Sequence, residues 1–317
     1  MKTNLWGIAF LCFFLSAAGL PAQNFTHPVV DGENGLTLLM KKHQLSHSVA
    51  QVTPTVCALC GVKAPETSAA PPIEEVLEAW KAKNPQVAEV PKIEKVLIFC
   101  PDATGHFLVE KFPEDWSALE AASDLRISGT NVLPSVTPVC FGAIFTGAPP
   151  EIHGIRQYQD KYQKNPIKVQ TLFDAFSEAG KKVVIISSKN CSIDLIFRGH
   201  RVEQITTLTS QESVDTAKKL LRESDYDLIL CYDGNYDSTM HAKGVFAPES
   251  LNAMRNSVRY CLELTQVADE VWSGRNRLVV FAPDHGAHDA SPNHGSHGTD
   301  SAEDAIVDHF YRIQPAR

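Results

Sequence analysis

Four apolar runs stand out along this chain, each closed by a polar, turn-prone cluster: KVLIFCP (95–101), KKVVIISS (181–188), DLILCY (227–232) and RLVVFA (277–282). Short apolar runs of that length, rich in Val, Ile and Leu and bounded by turn residues, predict strands buried on both faces. Between them lie stretches with helical spacing, TLFDAFSEAG (171–180), SVDTAKKLLRES (213–224) and LNAMRNSVRYCLELTQVADEVW (251–272). Strands alternating with amphipathic helices predict an α/β fold, a doubly wound and mostly parallel sheet with helices on both faces.

The chain before the first strong strand reads differently. Lys2 followed by LWGIAFLCFFLSAAGL (5–20) and a small-residue cleavage site after Ala22 predicts a signal peptide over 1–22. That run is short for a membrane span and lacks a basic flank, so a secreted or periplasmic protein without a stable membrane span is expected. Residues 23–94 are expected to form a flank packed on a core domain of 95–317. Within the flank VTPTVCALCGV (52–62), opened by Thr53-Pro54 and closed by Gly61, and IEEVLEAWKAK (73–83) predict two short helices.

Composition narrows the classes. A chain of 317 residues with 44% hydrophobic content can bury one enzyme-sized core, and the net charge of −8 excludes a basic surface tracking a nucleic-acid duplex. Of eight cysteines, Cys12 falls in the leader, and Cys100, Cys140, Cys191 and Cys231 lie in or beside apolar runs as small core residues. Cys57 and Cys60 form a lone CxxC with no second pair, expected to be a buried helical pair, oxidised or not.

The chemistry collects just past the strand ends. Asp102 follows the first run, Asp237 and His241 the third, Asp284 and His285 the last; Thr137 and His297 complete the set. Residues beyond the carboxyl ends of parallel strands line one crevice, so these positions are expected to meet. Carboxylates with imidazoles suit one or two divalent cations such as zinc, and a hydroxyl beside them is a candidate nucleophile. Thr137 precedes Pro138 and an apolar stretch ending at Gly147, which reads as a helix; its hydroxyl is either a cap or a group aimed at a bound phosphate.

PSVTPVCFGAIFTGAPPEIHGI (134–155) resembles the nucleophile segment of the alkaline phosphatase superfamily, in its type I phosphodiesterase and nucleotide pyrophosphatase branch. The spacing from Thr146-Gly147 puts the family's nucleophile on Thr137 rather than Ser135, and YDSTMH (236–241), PDHG (283–286) and GSHG (295–298) match further motifs in order. The resemblance implies two divalent metal ions, zinc by family. Asp237, His241 and His297 would hold one, and Asp102, Asp284, His285 and the Thr137 oxygen the other. It also implies a small phosphorylated substrate cleaved through a phospho-threonine.

Alternatives of the same fold are a phosphomonoesterase, a phosphonate hydrolase and a non-catalytic metal-binding protein. Tyr158 stands where the branch carries an Asn on a phosphoryl oxygen, and Lys189, after a strand end, is a second candidate substrate contact. His288 and His294 lie close enough to His297 to be alternative ligands, while His153 reads as structural.

Overall fold

The four apolar runs form the middle of one seven-stranded sheet in the computed structural model, which describes residues 35–87 and 89–317. The predicted leader over 1–22 lies outside the described residues. In chain order the strands are β1 (Lys95–Pro101), β2 (Leu125–Thr130), β3 (Val183–Ser188), β4 (Glu203–Thr207), β5 (Leu228–Asp233), β6 (Arg277–Phe281), β7 (His288–Ser291), β8 (His294–Ser296) and β9 (Ile306–Gln314). The sheet runs β2-β9-β6-β1-β5-β3-β4, and β7 and β8 form a separate hairpin. Strands β6, β1, β5, β3 and β4 are parallel, while β9 runs antiparallel to both β6 and β2.

The helices are α1 (Thr37–His43), α2 (Val52–Cys60), α3 (Glu74–Ala82), α4 (His106–Lys111), α5 (Pro113–Ala122), α6 (Thr137–Thr146), α7 (Pro150–His153), α8 (Leu172–Glu178), α9 (Ser192–Ile196), α10 (Ser210–Glu223), α11 (Asn235–Lys243), α12 (Pro248–Val271) and α13 (Ala302–Ala305). They cover the two faces of the sheet separately. On β1, Val96, Ile98 and Cys100 join a core with α2, α6 and α8, and Leu97 and Phe99 join a second core with α5, α10 and α12. The period-2 alternation of a strand thus feeds two apolar layers, which is why these runs carry no polar face. Each fully buried Leu, Ile or Phe contributes on the order of 1.5–3 kcal/mol.

Helix α12 buries a stripe of Ala253, Met254, Ser257, Val258, Cys261, Leu264 and Ala268 at three- and four-residue spacing, with Pro248 in its first turn. Helix α6 is buried on every side, because α2 and the 3-10 turn Val49–Gln51 pack on it from outside. Cys57 and Cys60 are buried free thiols, and burial pushes the Cys57 thiol up to about 12. Among the described residues no helix is long and apolar enough to cross a membrane.

Three strands escape the sequence pattern. Strands β2 and β4 mix polar and apolar residues as the two edges, and β9 carries Asp308, His309 and Arg312 in the sheet interior. Each has a dedicated partner: Asp308 accepts from Ser128 and Arg126, the His309 ring meets the Pro283 carbonyl at 2.8 Å, and Arg312 donates to Asp269. No local pattern announces a strand whose polar residues are satisfied from far along the chain.

His153 lies flat on α6, where a Cβ at Gly142 would come within 2.6 Å of its Cε1. Burial drives its pKa from 6.5 down to about 3, so the folded state holds it neutral while the unfolded chain protonates it below about 6.5. Stability from this residue is therefore present above pH 6.5 and lost as pH falls toward 3. The stability advantage of the wild type over His153→Gln, read as urea midpoints, is expected to shrink between pH 7.5 and 5. An advantage that stays constant or grows contradicts the burial of a neutral imidazole.

Candidate active site

Three adjacent central strands, β6, β1 and β5, end side by side and release their motifs at one edge. Asp102 follows β1, and Asp284 and His285 follow β6. The chain after β5 turns at Gly234 into α11, where Asp237 and His241 share one face at four-residue spacing. Sequence reasoning placed this last pair in a motif beyond the strand without its helix. Thr137 opens α6, and His297 follows β8.

The side chains converge. Thr137 Oγ1 lies 3.5 Å from Asp102 Oδ1 and 3.3 Å from His285 Nε2, and His285 Nε2 is 3.4 Å from both Asp102 Oδ1 and Asp284 Oδ2. Asp237 Oδ1 sits 3.3 Å from His241 Nε2 and 3.4 Å from His297 Nε2. Two groups have donor atoms all within 4.8 Å of one another, Asp237 with His241 and His297, and Asp102 with Asp237 and His285. Asp284 joins the cluster through His285. Val136 is the cap residue of α6, and the Thr137 hydroxyl makes no capping bond. It points at Asp102 and His285 instead.

The imidazoles are oriented from behind. His241 Nδ1 is 2.9 Å from the Gly295 carbonyl, His285 Nδ1 2.9 Å from that of Gly286, and His297 Nδ1 2.8 Å from that of Ser135. A carbonyl only accepts, so each Nδ1 carries a proton and each Nε2 faces the cluster. Two of those nitrogens, Nε2 of His241 and of His297, stand 3.2 Å apart, a spacing that two lone pairs tolerate only with a cation or proton beside them.

Two of the three carboxylates are pushed upward, whereas Asp237, which burial alone would raise, is held below the usual carboxylate range by His241 and His297. Burial, with Asp237 next in effect, pushes Asp102 up to about 7. Burial and then Asp102 push Asp284 well above the usual carboxylate range. Asp237 Oδ1 and Asp284 Oδ2 are buried without a hydrogen-bond partner. Orphaned carboxylate oxygens and Nε2 atoms aimed at one space are the donor set of a divalent cation, and the residues fit one.

The other sequence candidates are placed as follows. Tyr158 begins the 3-10 turn Tyr158–Tyr162 and is 42% exposed; burial, then Tyr162, Asp237 and Asp102, push its hydroxyl up to about 12. Lys189 is exposed on the turn after β3, where its backbone donates to Thr207, and its side chain makes no hydrogen bond or ion pair with the cluster among the described residues. His288 Nδ1 is engaged by Asp304 and His294 Nδ1 by the His241 carbonyl, so His297 is the imidazole that reaches Asp237. Ser135 is buried, its hydroxyl donating to Asn131 and to the Thr299 carbonyl.

Sequence reasoning missed two residues here. Tyr232, inside β5, donates its hydroxyl to Asp102 Oδ2 at 2.5 Å; the only available signal was a phenol in an otherwise aliphatic run. Lys161 lies buried behind Tyr158, and nothing in its local sequence marks it.

The loops holding these groups are pressed together. A Cβ on Gly286 would meet the Glu303 carbonyl oxygen at 1.9 Å, and one on Gly105 would meet Gly286 Cα at 2.6 Å. Asp304 ties the neighbouring turns together: its backbone carbonyl accepts from Gly286 and Asn131, and its carboxylate from Thr299.

The architecture has counterparts of known structure. A protein of the alkaline phosphatase superfamily from Vibrio parahaemolyticus matches 72% of this chain and 62% of its own at 14% identity and a TM-score of 0.51. Murine ectonucleotide pyrophosphatase / phosphodiesterase 5 matches 62% of this chain and 58% of its own at 18% identity and a TM-score of 0.50. Phosphonoacetate hydrolase from Sinorhizobium meliloti matches 62% of this chain and 57% of its own at 20% identity, with a TM-score of 0.46. The chain thus spans less than two thirds of the length of each of these proteins. No curated protein matches it by sequence.

The fold is that of the alkaline phosphatase superfamily, α/β with a mostly parallel sheet. Within it, the chain belongs to the type I phosphodiesterase / nucleotide pyrophosphatase family, whose model matches residues 108–312.

The close approach at Gly286 carries an expectation. Gly286→Ala places a methyl against backbone rather than a movable side chain, and is expected to lower stability by about 1–3 kcal/mol, measured by thermal unfolding. A Tm equal to that of the wild type contradicts the loop contact.

Proposed function

We propose that this protein is a metal-dependent phosphoric ester hydrolase, a phosphodiesterase or nucleotide pyrophosphatase acting on a small phosphorylated substrate through a phospho-threonine on Thr137. The observation that carries this reading is the Thr137 hydroxyl, freed from capping at the start of α6 and directed at Asp102 and His285. Membership of the family supports the reaction class. The reading extends to the ligands: Asp237, His241 and His297 would hold one cation, and Asp102, Asp284, His285 and the Thr137 oxygen a second, with zinc the metal that suits them. Such cations, when bound, favour the ionised hydroxyl and offset the charge of the phosphoryl oxygens.

The chain's own groups perform the rest. Thr137 Oγ1 attacks phosphorus, the ester or pyrophosphate oxygen leaves with the proton the hydroxyl gives up, and a phospho-threonine remains. Water then attacks the same phosphorus, the P–O bond to Thr137 breaks, and the hydroxyl is restored. The positive end of the α6 dipole, at the helix start beside Thr137, favours a phosphoryl oxygen next to the nucleophile. Tyr232 holds Asp102 in one orientation from behind. Export through the leader over 1–22 belongs to the same proposal.

Thr137→Ala is expected to reduce turnover of a nitrophenyl phosphodiester by several orders of magnitude with folding and metal content retained, since the attacking atom is lost and no carboxylate is. Thr137→Ser keeps the oxygen and part of the activity. Ser135→Ala is expected to be mild, and the reverse pattern, an inactive Ser135→Ala beside an active Thr137→Ala, rules the assignment out. Chelation is expected to abolish turnover and zinc to restore it, with roughly two zinc per chain by elemental analysis. Full activity in metal-free protein would sink the mechanism.

A further inference from the structure

Lys161 is 4% exposed, a degree of burial that lysine rarely accepts without a carboxylate beside it. Among the described residues none stands at ion-pair distance. Its nearest acidic neighbour in sequence, Asp160, is spent elsewhere. Asp160 Oδ2 accepts from the backbone of Arg156 at 2.8 Å and of Gln157 at 3.2 Å, and Oδ1 from the Gln157 and Gln163 side chains. Those bonds lock the 3-10 turn and leave the lysine out. The Lys161 ammonium has three donors. It makes one long contact, 3.4 Å to the Ser192 hydroxyl, and lies 3.6 Å over the Tyr158 ring and 5.2 Å from that of Tyr162.

The turn packs against α6, which begins at Thr137, and against α9. From there the ammonium lies in the field of Asp102 and Asp237. Burial brings its pKa down to about 8, which leaves it charged at neutral pH. Once cations offset those two carboxylates, the ammonium is a buried charge with unfilled donors, on a turn packed against the helix that carries Thr137.

We infer that Lys161 binds a non-bridging oxygen of the substrate's phosphoryl group, and that Tyr158 and Tyr162 form the apolar sleeve holding its stem. The assignment rests on the phosphoryl-transfer reading of the site, and it puts a positive charge, not a neutral amide, at the rim on this side of Thr137. It also displaces Lys189, the lysine expected from sequence, in favour of one three residues beyond Tyr158.

The test is titration of inorganic phosphate into metal-loaded protein, followed by calorimetry, for the wild type, Lys161→Met, Lys161→Gln and Lys161→Arg. Met keeps the apolar stem and removes the charge; if Met disturbs the far-ultraviolet circular dichroism, Gln is read in its place. Loss of a charge-assisted bond is expected to weaken phosphate binding about 10-fold or more in Met and Gln, with Arg recovering part of it and metal content unchanged in all. A parallel fall in kcat/KM for a nitrophenyl ester is expected. Phosphate affinity equal to the wild type in both Met and Gln overturns the inference. An active Thr137→Ala variant, by contrast, overturns the phospho-threonine reading and leaves the phosphate titration standing as a separate result.

Discussion

Three carboxylates share one desolvated space at the ends of β6, β1 and β5, and that crowding is the constraint the rest of the molecule answers. Asp102 and Asp284 are almost wholly buried; beyond that burial, Asp237 raises the cost of ionising Asp102, and Asp102 that of ionising Asp284. Left alone, like charges at this spacing in low dielectric would drive the strand ends apart or force protons onto them. The protein instead surrounds them with imidazoles whose outer nitrogens are tied to backbone carbonyls. The result is a cavity of lone pairs, rigid on the outside and electron-rich on the inside.

Rigidity comes from backbone more than from side chains. The carbonyls of Ser135, Gly286 and Gly295 come from two loops and from β8, and each fixes one ring. Such tethers set tautomer and direction together, so an imidazole arrives already aimed. Glycine at 105 and 286 lets two of the loops touch at distances that any side chain would forbid. A change far from the donors, in the turn around Asp304, therefore reaches them through main chain.

Much of this was legible along the chain. The central strands could be read from unbroken apolar runs, Asp102, Asp237, His241, Asp284 and His285 from their place just beyond those runs, and His297 from its GSHG motif. What escaped was whatever depends on partners distant in sequence. Strand β9 hides its nature because Asp308, His309 and Arg312 look like surface residues until their partners are known. Lys161 was invisible for the opposite reason: burial comes from α6, α9 and two tyrosines, none of which marks it locally, whereas Lys189 advertised itself by following a strand and stayed in solvent. The choice of His297 over His288 and His294, made from its GSHG motif, agrees with the carboxylate and carbonyl that occupy the other two.

Strand β9 also governs how the molecule is made. It lies between β2 and β6, pairing Leu125 with Tyr311 and Val280 with the same Tyr311. Until that segment arrives, β6 has an open hydrogen-bonding edge and β2 has no sheet to join. Closing so long a loop is entropically slow, and an exposed apolar edge is an invitation to pair with another chain. The folding of this protein is thus a race between a late-synthesised strand and intermolecular association, with β9 serving as the piece that seals the sheet against aggregation.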